Sequence, residues 1–184
     1  MALAHAILAA IADGESSGYD LAKSFDVAVS NFWSATPQQL YRELDRMQSA
    51  GYIKARTVHQ EKRPDKRLFS LTRSGRDLLH EFTAVAPKPT AIRDDLLVQV
   101  EAMDGEDLPH VRRWIGERLA TSQVKLSRYR KSREFLLDGR SEADYLAHEP
   151  RLGPYLTLAR GIMFEQENIR WCRLVLRTIG TRMP

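Results

Sequence analysis

The hydrophobic positions of the first fifty residues follow the 3.6-residue period of amphipathic helices. The pattern predicts a helix over 2–12, a second over 18–25 after a serine cap, and a third over 36–50. Thr36-Pro37 is a strong start for the third helix, because threonine suits the N-cap and proline suits the first turn. We expect Gly51 to end it.

The third predicted helix has two chemically different faces. Leu40, Leu44 and Met47 form an apolar stripe, which predicts that this side is buried. The opposite face carries polar side chains, several of them long and able to make more than one hydrogen bond. Its members are Gln38, Gln39, Arg42, Asp45, Arg46 and Ser49.

Two short strands are predicted after this helix, over 53–58 and 67–71. The turn between them contains a proline and is strongly basic. From Lys54 to Arg76 there are eight lysine or arginine residues and two acidic residues, although the whole chain has a net charge of only +4. A further helix is predicted from the cap residue Thr72 to about Ala84. The cations in or beside the turn are Lys62, Arg63, Lys66 and Arg67.

The remainder of the chain has a helical pattern almost to its end. Pro87 and Pro89 mark a boundary, because two closely spaced prolines interrupt any helix. We therefore predict two domains, 1–86 and 87–184, in a mainly α fold with a small β-wing. Helices are predicted in the second domain over 92–103, 108–137, 143–148 and 155–179.

The two long helices of the second domain carry apolar positions that predict a dimerisation surface. The last helix has an apolar series at seven-residue spacing and a second apolar edge, so it needs more than one neighbour. In a domain with few helices, a second copy of the chain can be that neighbour. The residues assigned to this surface are Val111, Ile115, Leu119, Leu126, Tyr155, Ile162, Ile169 and Leu176.

Several classes of protein are disfavoured by what the sequence lacks. No apolar run approaches the roughly 20 residues of a membrane helix, and the start has no basic region of a signal peptide. Cys172 is the single cysteine, which fits a reduced, cytoplasmic location. The histidines lack metal-ligand spacing, and no phosphate loop or nucleophile motif is present. We therefore expect no metal, no cofactor, no membrane partner and no enzyme activity.

The element order of helix, helix, helix, strand, turn and strand is that of a winged helix-turn-helix, which binds double-stranded DNA. Glutamine and arginine on the third helix can pair with base edges, while cations in the wing reach phosphates. A polar helix face and a basic turn are each common on protein surfaces, but here both occur in the right order. Two alternatives remain open: a winged-helix module that binds proteins instead of DNA, and an enzyme with a catalytic helical half.

Three segments of the first domain resemble the PadR family of bacterial regulators: SGYDLAKSF from Ser17, FWSATPQQLYRELDRMQSAGYI from Phe32 and KRPDKRLFSLTRSGR from Lys62. The chain departs from the family pattern at Lys62 and Phe69, where the family often has glycine and tyrosine. The resemblance implies DNA contacts from the third helix and the wing. Together with the reading of the helix faces, it gives the candidate DNA-binding residues Tyr19, Thr36, Gln38, Gln39, Tyr41, Arg42, Arg46, Lys62, Arg63, Lys66 and Arg67.

The second domain is similar to the helical extension of one PadR branch, which includes a virulence-gene activator and dimerises through long helices. The resemblance implies a homodimer that binds a roughly palindromic operator, and we interpret the protein as a repressor, with activation left open. Some relatives respond to aromatic small molecules. Trp114 and Trp171 are therefore candidates for an effector pocket, although the sequence identifies no effector.

Overall fold

The computed structural model describes residues 2–25, 35–59, 65–90 and 93–181. The chain divides into two compact units, Met1–Lys88 and Pro89–Pro184. Within the described residues, no helix is both long and apolar enough to cross a membrane.

The described residues of the first unit form four helices and three strands. In chain order they are α1 (Ala2–Ala10), β1 (Ser16–Ser17), α2 (Gly18–Ser24), α3 (Pro37–Ser49), β2 (Ile53–Val58), β3 (Lys66–Leu71) and α4 (Arg73–Ala84). The predicted third helix, both wing strands and the helix capped by Thr72 are confirmed. The short strand β1 was not predicted.

The three strands form an antiparallel sheet in the order β1-β3-β2, so β3 is central. The β2–β3 hairpin is paired from Ile53 opposite Leu71 to Val58 opposite Lys66. On the other edge, Ser17 pairs with Leu68 while its hydroxyl accepts a hydrogen bond of 3.0 Å from the Asp20 amide. Ser17 therefore joins the sheet and caps α2 at the same time.

One apolar core holds the first unit together. The stripe of α3 (Leu40, Leu44, Met47) is fully buried among side chains of α1, α2 and the sheet, including Leu8 and Phe69. Because both the helices and the sheet contribute to this core, their orientation to one another is set by packing. The polar face of α3 therefore points away from this core and is exposed.

The second unit is helical: α5 (Asp95–Ala102), α6 (Leu108–Leu137), α7 (Glu142–His148) and α8 (Gly153–Gly180). All four predicted helices are present: α6 has the predicted bounds, and the other three have shifted ends. Helix α8 begins before the predicted residue 155, since Pro154 is accommodated in its first turn. Helix α6 ends where Asp138 and Gly139 adopt positive φ angles of 46° and 77°. The predicted start of α5 at residue 92 lies outside the described residues.

Helices α6 and α8 pack lengthwise against each other within one chain. This packing buries five of the residues that the sequence assigned to a dimer surface: Val111, Ile115, Leu126, Tyr155 and Ile169. The other three, Leu119, Ile162 and Leu176, are half-buried. Ile115 is 0% exposed, so it has no surface to offer a second chain. The neighbour that the seven-residue apolar series of α8 predicts is therefore α6 of the same chain.

Candidate nucleic-acid interface

Helix α3 is held in place from one side and at its start. Its apolar stripe lies in the core, and Thr36 caps the helix. The Thr36 hydroxyl accepts a hydrogen bond of 3.2 Å from the Gln39 amide, and the Gln39 side-chain oxygen accepts one of 2.9 Å from the Thr36 amide. This is a reciprocal capping box. Both residues were predicted to contact DNA, and the structure gives them a part in starting the helix.

Gln38 and Arg42 are the unpaired members of the outward face of α3. Both side chains are exposed, and neither makes an ion pair or a side-chain hydrogen bond to any residue that the structure describes. They lie four residues apart, so they project from the same side of the helix. Long side chains with free donors on an exposed helix face are the groups that read base edges.

Two tyrosines extend this surface beyond α3. Tyr41 is 45% exposed and Tyr19, near the start of α2, is 72% exposed. The Tyr41 ring lies so close to the backbone of Gly18 that a side chain on Gly18 would overlap it. The start of α2 and the first half of α3 are thus neighbours, and the two hydroxyl-bearing rings belong to one exposed region.

Arg46, in the last turns of α3, is engaged by its own helix. Its Nη2 lies 2.5 Å from Glu43 Oε1 and its Nε lies 3.0 Å from Glu43 Oε2. The hydrogen bond from Arg46 lowers the pKa of the Glu43 carboxyl, so the pair stays ionised at neutral pH. Unlike Arg42, Arg46 must break this contact before it can bind another anion.

The two wing cations on β3 are also paired, and each connects the sheet to a helix. Lys66 Nζ lies 2.8 Å from Asp20 Oδ2 on α2, and hydrogen bonds from Lys66 and Ser17 lower the pKa of that carboxyl. Arg67 Nη2 donates to Asp45 Oδ1 at 3.2 Å and to Gln48 Oε1 at 2.7 Å, both on α3. These contacts connect the turn end of the β2–β3 hairpin to the two helices.

Two of the predicted wing residues, Lys62 and Arg63, lie outside the described residues, as do Phe32 and Trp33. Their assignment to phosphate contacts stays a prediction. The neighbouring cation Arg56 on β2 pairs with Glu15, with its Nη2 at 2.5 Å from Oε2. Three basic side chains of the described hairpin, Arg56, Lys66 and Arg67, are thus already paired with acids.

Neither the capping box at Thr36 nor the Arg67–Asp45 pair was predicted from the sequence. The capping box carries a local signal, since Thr36 and Gln39 match the pattern of a threonine followed three residues later by glutamine. The Arg67–Asp45 pair has no such signal, because it joins residues 22 positions apart. Only the packing of the hairpin beside α3 brings them together.

The two candidate effector tryptophans lie in different surroundings of the second unit. Trp114 lines a groove of about 630 Å³ together with Phe164 and the buried carboxylate of Glu165. Trp171 packs against the apolar cluster that contains Val111 and Ile115. Within the described residues, no group of three His, Cys, Asp or Glu side chains is placed to hold a metal ion.

Both units of the chain match known families of transcriptional regulators. Residues 7–81 match the model of the transcriptional regulator PadR-like family, and residues 92–179 match that of the virulence activator alpha C-terminal domain. The Mycobacterium tuberculosis protein named "Probable transcriptional regulator Rv1176c" is 34% identical, covering 93% of this chain and 94% of that protein.

Two solved structures of Bacillus subtilis PadR are also similar. The complex with operator DNA has a TM-score of 0.73 and 28% identity, covering 97% of this chain and 99% of that one. The complex with p-coumaric acid has a TM-score of 0.67 and 27% identity, covering 98% and 99%. The family matches of both units and the full-length relative lead to the same assignment. The chain belongs to the PadR family of DNA-binding transcriptional regulators.

Proposed function

We propose that this PadR-family protein is a homodimeric repressor that recognises a roughly palindromic operator in double-stranded DNA. The exposed face of α3 reads base edges through Gln38 and Arg42, and the wing cations Lys62 and Arg63 contact phosphates. The observation that carries the proposal is the contrast between the two faces of α3. One face is fixed in the core, and the other presents long donor side chains without partners among the described residues.

The alternative of a protein-binding winged helix is less well supported. Such a module would present an acidic or apolar surface on α3, whereas the exposed positions here are mainly amides, arginines and tyrosine. The solved complex of B. subtilis PadR with operator DNA supports the same choice by analogy.

The homodimer requires a surface other than the residues buried between α6 and α8. Large exposed apolar side chains in the second unit offer one, because contiguous apolar surface marks an interaction site. On α6 and α8 they include Val124, Phe135, Leu156, Met163 and Leu174. We assign the contact between two copies to this set. Light scattering should give twice the 21.1 kDa mass of one chain, and a monomer at working concentration would contradict the assignment.

Control by a small molecule is the remaining part of the proposal. A ligand can shift the regulator off DNA only if it binds the released state better than the DNA-bound state. The groove beside Trp114 has aromatic walls and a buried carboxylate, and it is the site we assign to an effector. A Trp114→Ala variant that still responds to such a compound would contradict this location.

The proposal is tested by fluorescence anisotropy with duplex DNA from the protein's own promoter region and a scrambled duplex, at several salt concentrations. We expect tight binding that favours the promoter and weakens steeply as salt rises, because phosphate contacts release counterions. Equal, weak binding to both duplexes would contradict operator recognition at that promoter. No binding to any duplex at low salt would favour the protein-binding alternative.

Replacing Asp45 with asparagine should strengthen DNA binding. The Asp45 carboxylate now pairs with Arg67, and its replacement leaves that guanidinium held only by the neutral Gln48 side chain, so its charge becomes available for a phosphate. We expect roughly threefold to tenfold tighter binding to both duplexes, and a log–log salt dependence steeper by about one. Asp77→Asn removes the same charge from α4 and is the matched control. An unchanged salt dependence in Asp45→Asn would contradict a phosphate role for Arg67.

A further inference from the structure

A basic groove lies on the surface of the second unit between α6 and α8. Its volume is about 730 Å³, which is in the range of sites that hold small organic molecules. Nine residues line it, and none of them is acidic. Four of the nine are arginines: Arg130, Arg170, Arg173 and Arg177. We call this site the arginine groove.

Helix geometry brings the four guanidinium groups to one place. Arg170, Arg173 and Arg177 follow each other at spacings of three and four residues, so they share one face of α8. At a rise of 1.5 Å per residue they extend over about 10 Å along the helix. Arg130 comes from α6, and the floor between the helices includes the apolar side chains of Leu126 and Ile169.

The positive charge of this groove is largely uncompensated. Arg170 pairs with Glu167 at 2.9 Å, but both side chains are well exposed, so the pair is weak. Arg130, Arg173 and Arg177 make no ion pair with any carboxylate that the structure describes. From Arg93 to Thr181, basic and acidic residues are nearly equal in number, so the groove is a local excess of cations. Neighbouring like charges repel, and a bound anion relieves that repulsion.

We propose that the arginine groove binds a small organic polyphosphate. Guanidinium groups recognise phosphate through paired hydrogen bonds and keep their charge at any physiological pH. A row of three arginines about 10 Å long fits a chain of several phosphates better than a single carboxylate. The apolar floor suits a planar ring attached to that chain. This inference is independent of the DNA contacts proposed for α3.

The test is isothermal titration of the full-length protein with ATP and with inorganic tripolyphosphate, both without magnesium. We expect the double variant Arg173→Gln/Arg177→Gln to bind both probes at least tenfold more weakly, because two charged hydrogen-bonding groups are lost. The matched control Arg113→Gln/Lys131→Gln removes the same charge from α6 outside the groove and should retain binding. All four side chains are exposed, so circular dichroism should show unchanged folding in both variants.

Three results would overturn the proposal. The first is the absence of binding of either probe at millimolar concentration. The second is an equal loss in both double variants, which would mean diffuse charge attraction. The third is a loss of duplex DNA binding in the groove variant without any binding of the small probes, which would assign the groove to the DNA backbone. If ATP binds no tighter than tripolyphosphate, the ring-binding role of the apolar floor is wrong.

Discussion

Replacing Arg42 with alanine should weaken binding to the promoter duplex by about tenfold to a hundredfold, with much less effect on the scrambled duplex. The side chain is exposed on the outward face of α3 and has no ion pair among the described residues, so its donors are available for a base. For the same reason, its removal should leave the thermal unfolding midpoint unchanged. Fluorescence anisotropy on both duplexes measures the effect.

Two further variants separate base reading from phosphate binding. Arg63→Ala, chosen from the sequence, should weaken binding to both duplexes equally, because a phosphate contact carries no sequence information. Arg76→Ala removes a cation from α4 of the same unit and should change little. If Arg42→Ala binds the promoter as tightly as the wild type, the outward face of α3 is not the reading surface.

Replacing Gly75 with alanine should destabilise the first unit by about 3 kcal/mol or more, because the new side chain would overlap the backbone oxygen of Tyr52. This oxygen cannot move away easily, since it accepts hydrogen bonds from the Thr72 amide at 3.1 Å and the Thr72 hydroxyl at 2.9 Å. The Thr72 hydroxyl also accepts a hydrogen bond of 3.1 Å from the Gly75 amide, which caps α4 directly after β3. Urea unfolding followed by circular dichroism measures the loss.

Gly14→Ala is the matched control for this substitution. A side chain at Gly14 would have no heavy atom within 4 Å, so we expect little change in the free energy of unfolding. Gly18→Ala should fall between the two, because the atoms it would meet belong to the exposed side chain of Tyr41, which can rotate. A Gly75→Ala protein as stable as Gly14→Ala would contradict the close approach of Tyr52 to α4.

Local patterns predicted most of the elements in the first unit. Thr36-Pro37 and the stripe of Leu40, Leu44 and Met47 were sufficient for α3, because a cap and a periodic apolar face are properties of one segment. Strand β1 was missed because two serines carry no apolar alternation. It exists because Ser16 and Ser17 reach the free edge of β3, and only the folded arrangement provides that edge.

The apolar series of α8 shows a second limit of prediction from the sequence, which concerns the partner of a helix. A seven-residue repeat predicts that a helix needs a neighbour, but it does not say which chain supplies it. Ile169 and Tyr155 are buried in the chain's own α6–α8 packing. The apolar residues that remain exposed, such as Phe135 and Met163, could be distinguished only when that packing was known. The same holds for the candidate site, where Arg46 and Arg42 look alike in the sequence and differ only in their partners.

The strand pairing of the β2–β3 hairpin affects which sequence changes PadR-family proteins can tolerate. The hairpin register is set by six residue pairs from Ile53–Leu71 to Val58–Lys66, and Lys66 and Arg67 connect the turn end of the hairpin to α2 and α3. We therefore expect insertions, deletions and charge changes between Val58 and Lys66 to leave the position of α3 unchanged. Under the proposed function, substitutions in that stretch change overall DNA affinity, while a change of target sequence requires substitutions on α3 itself.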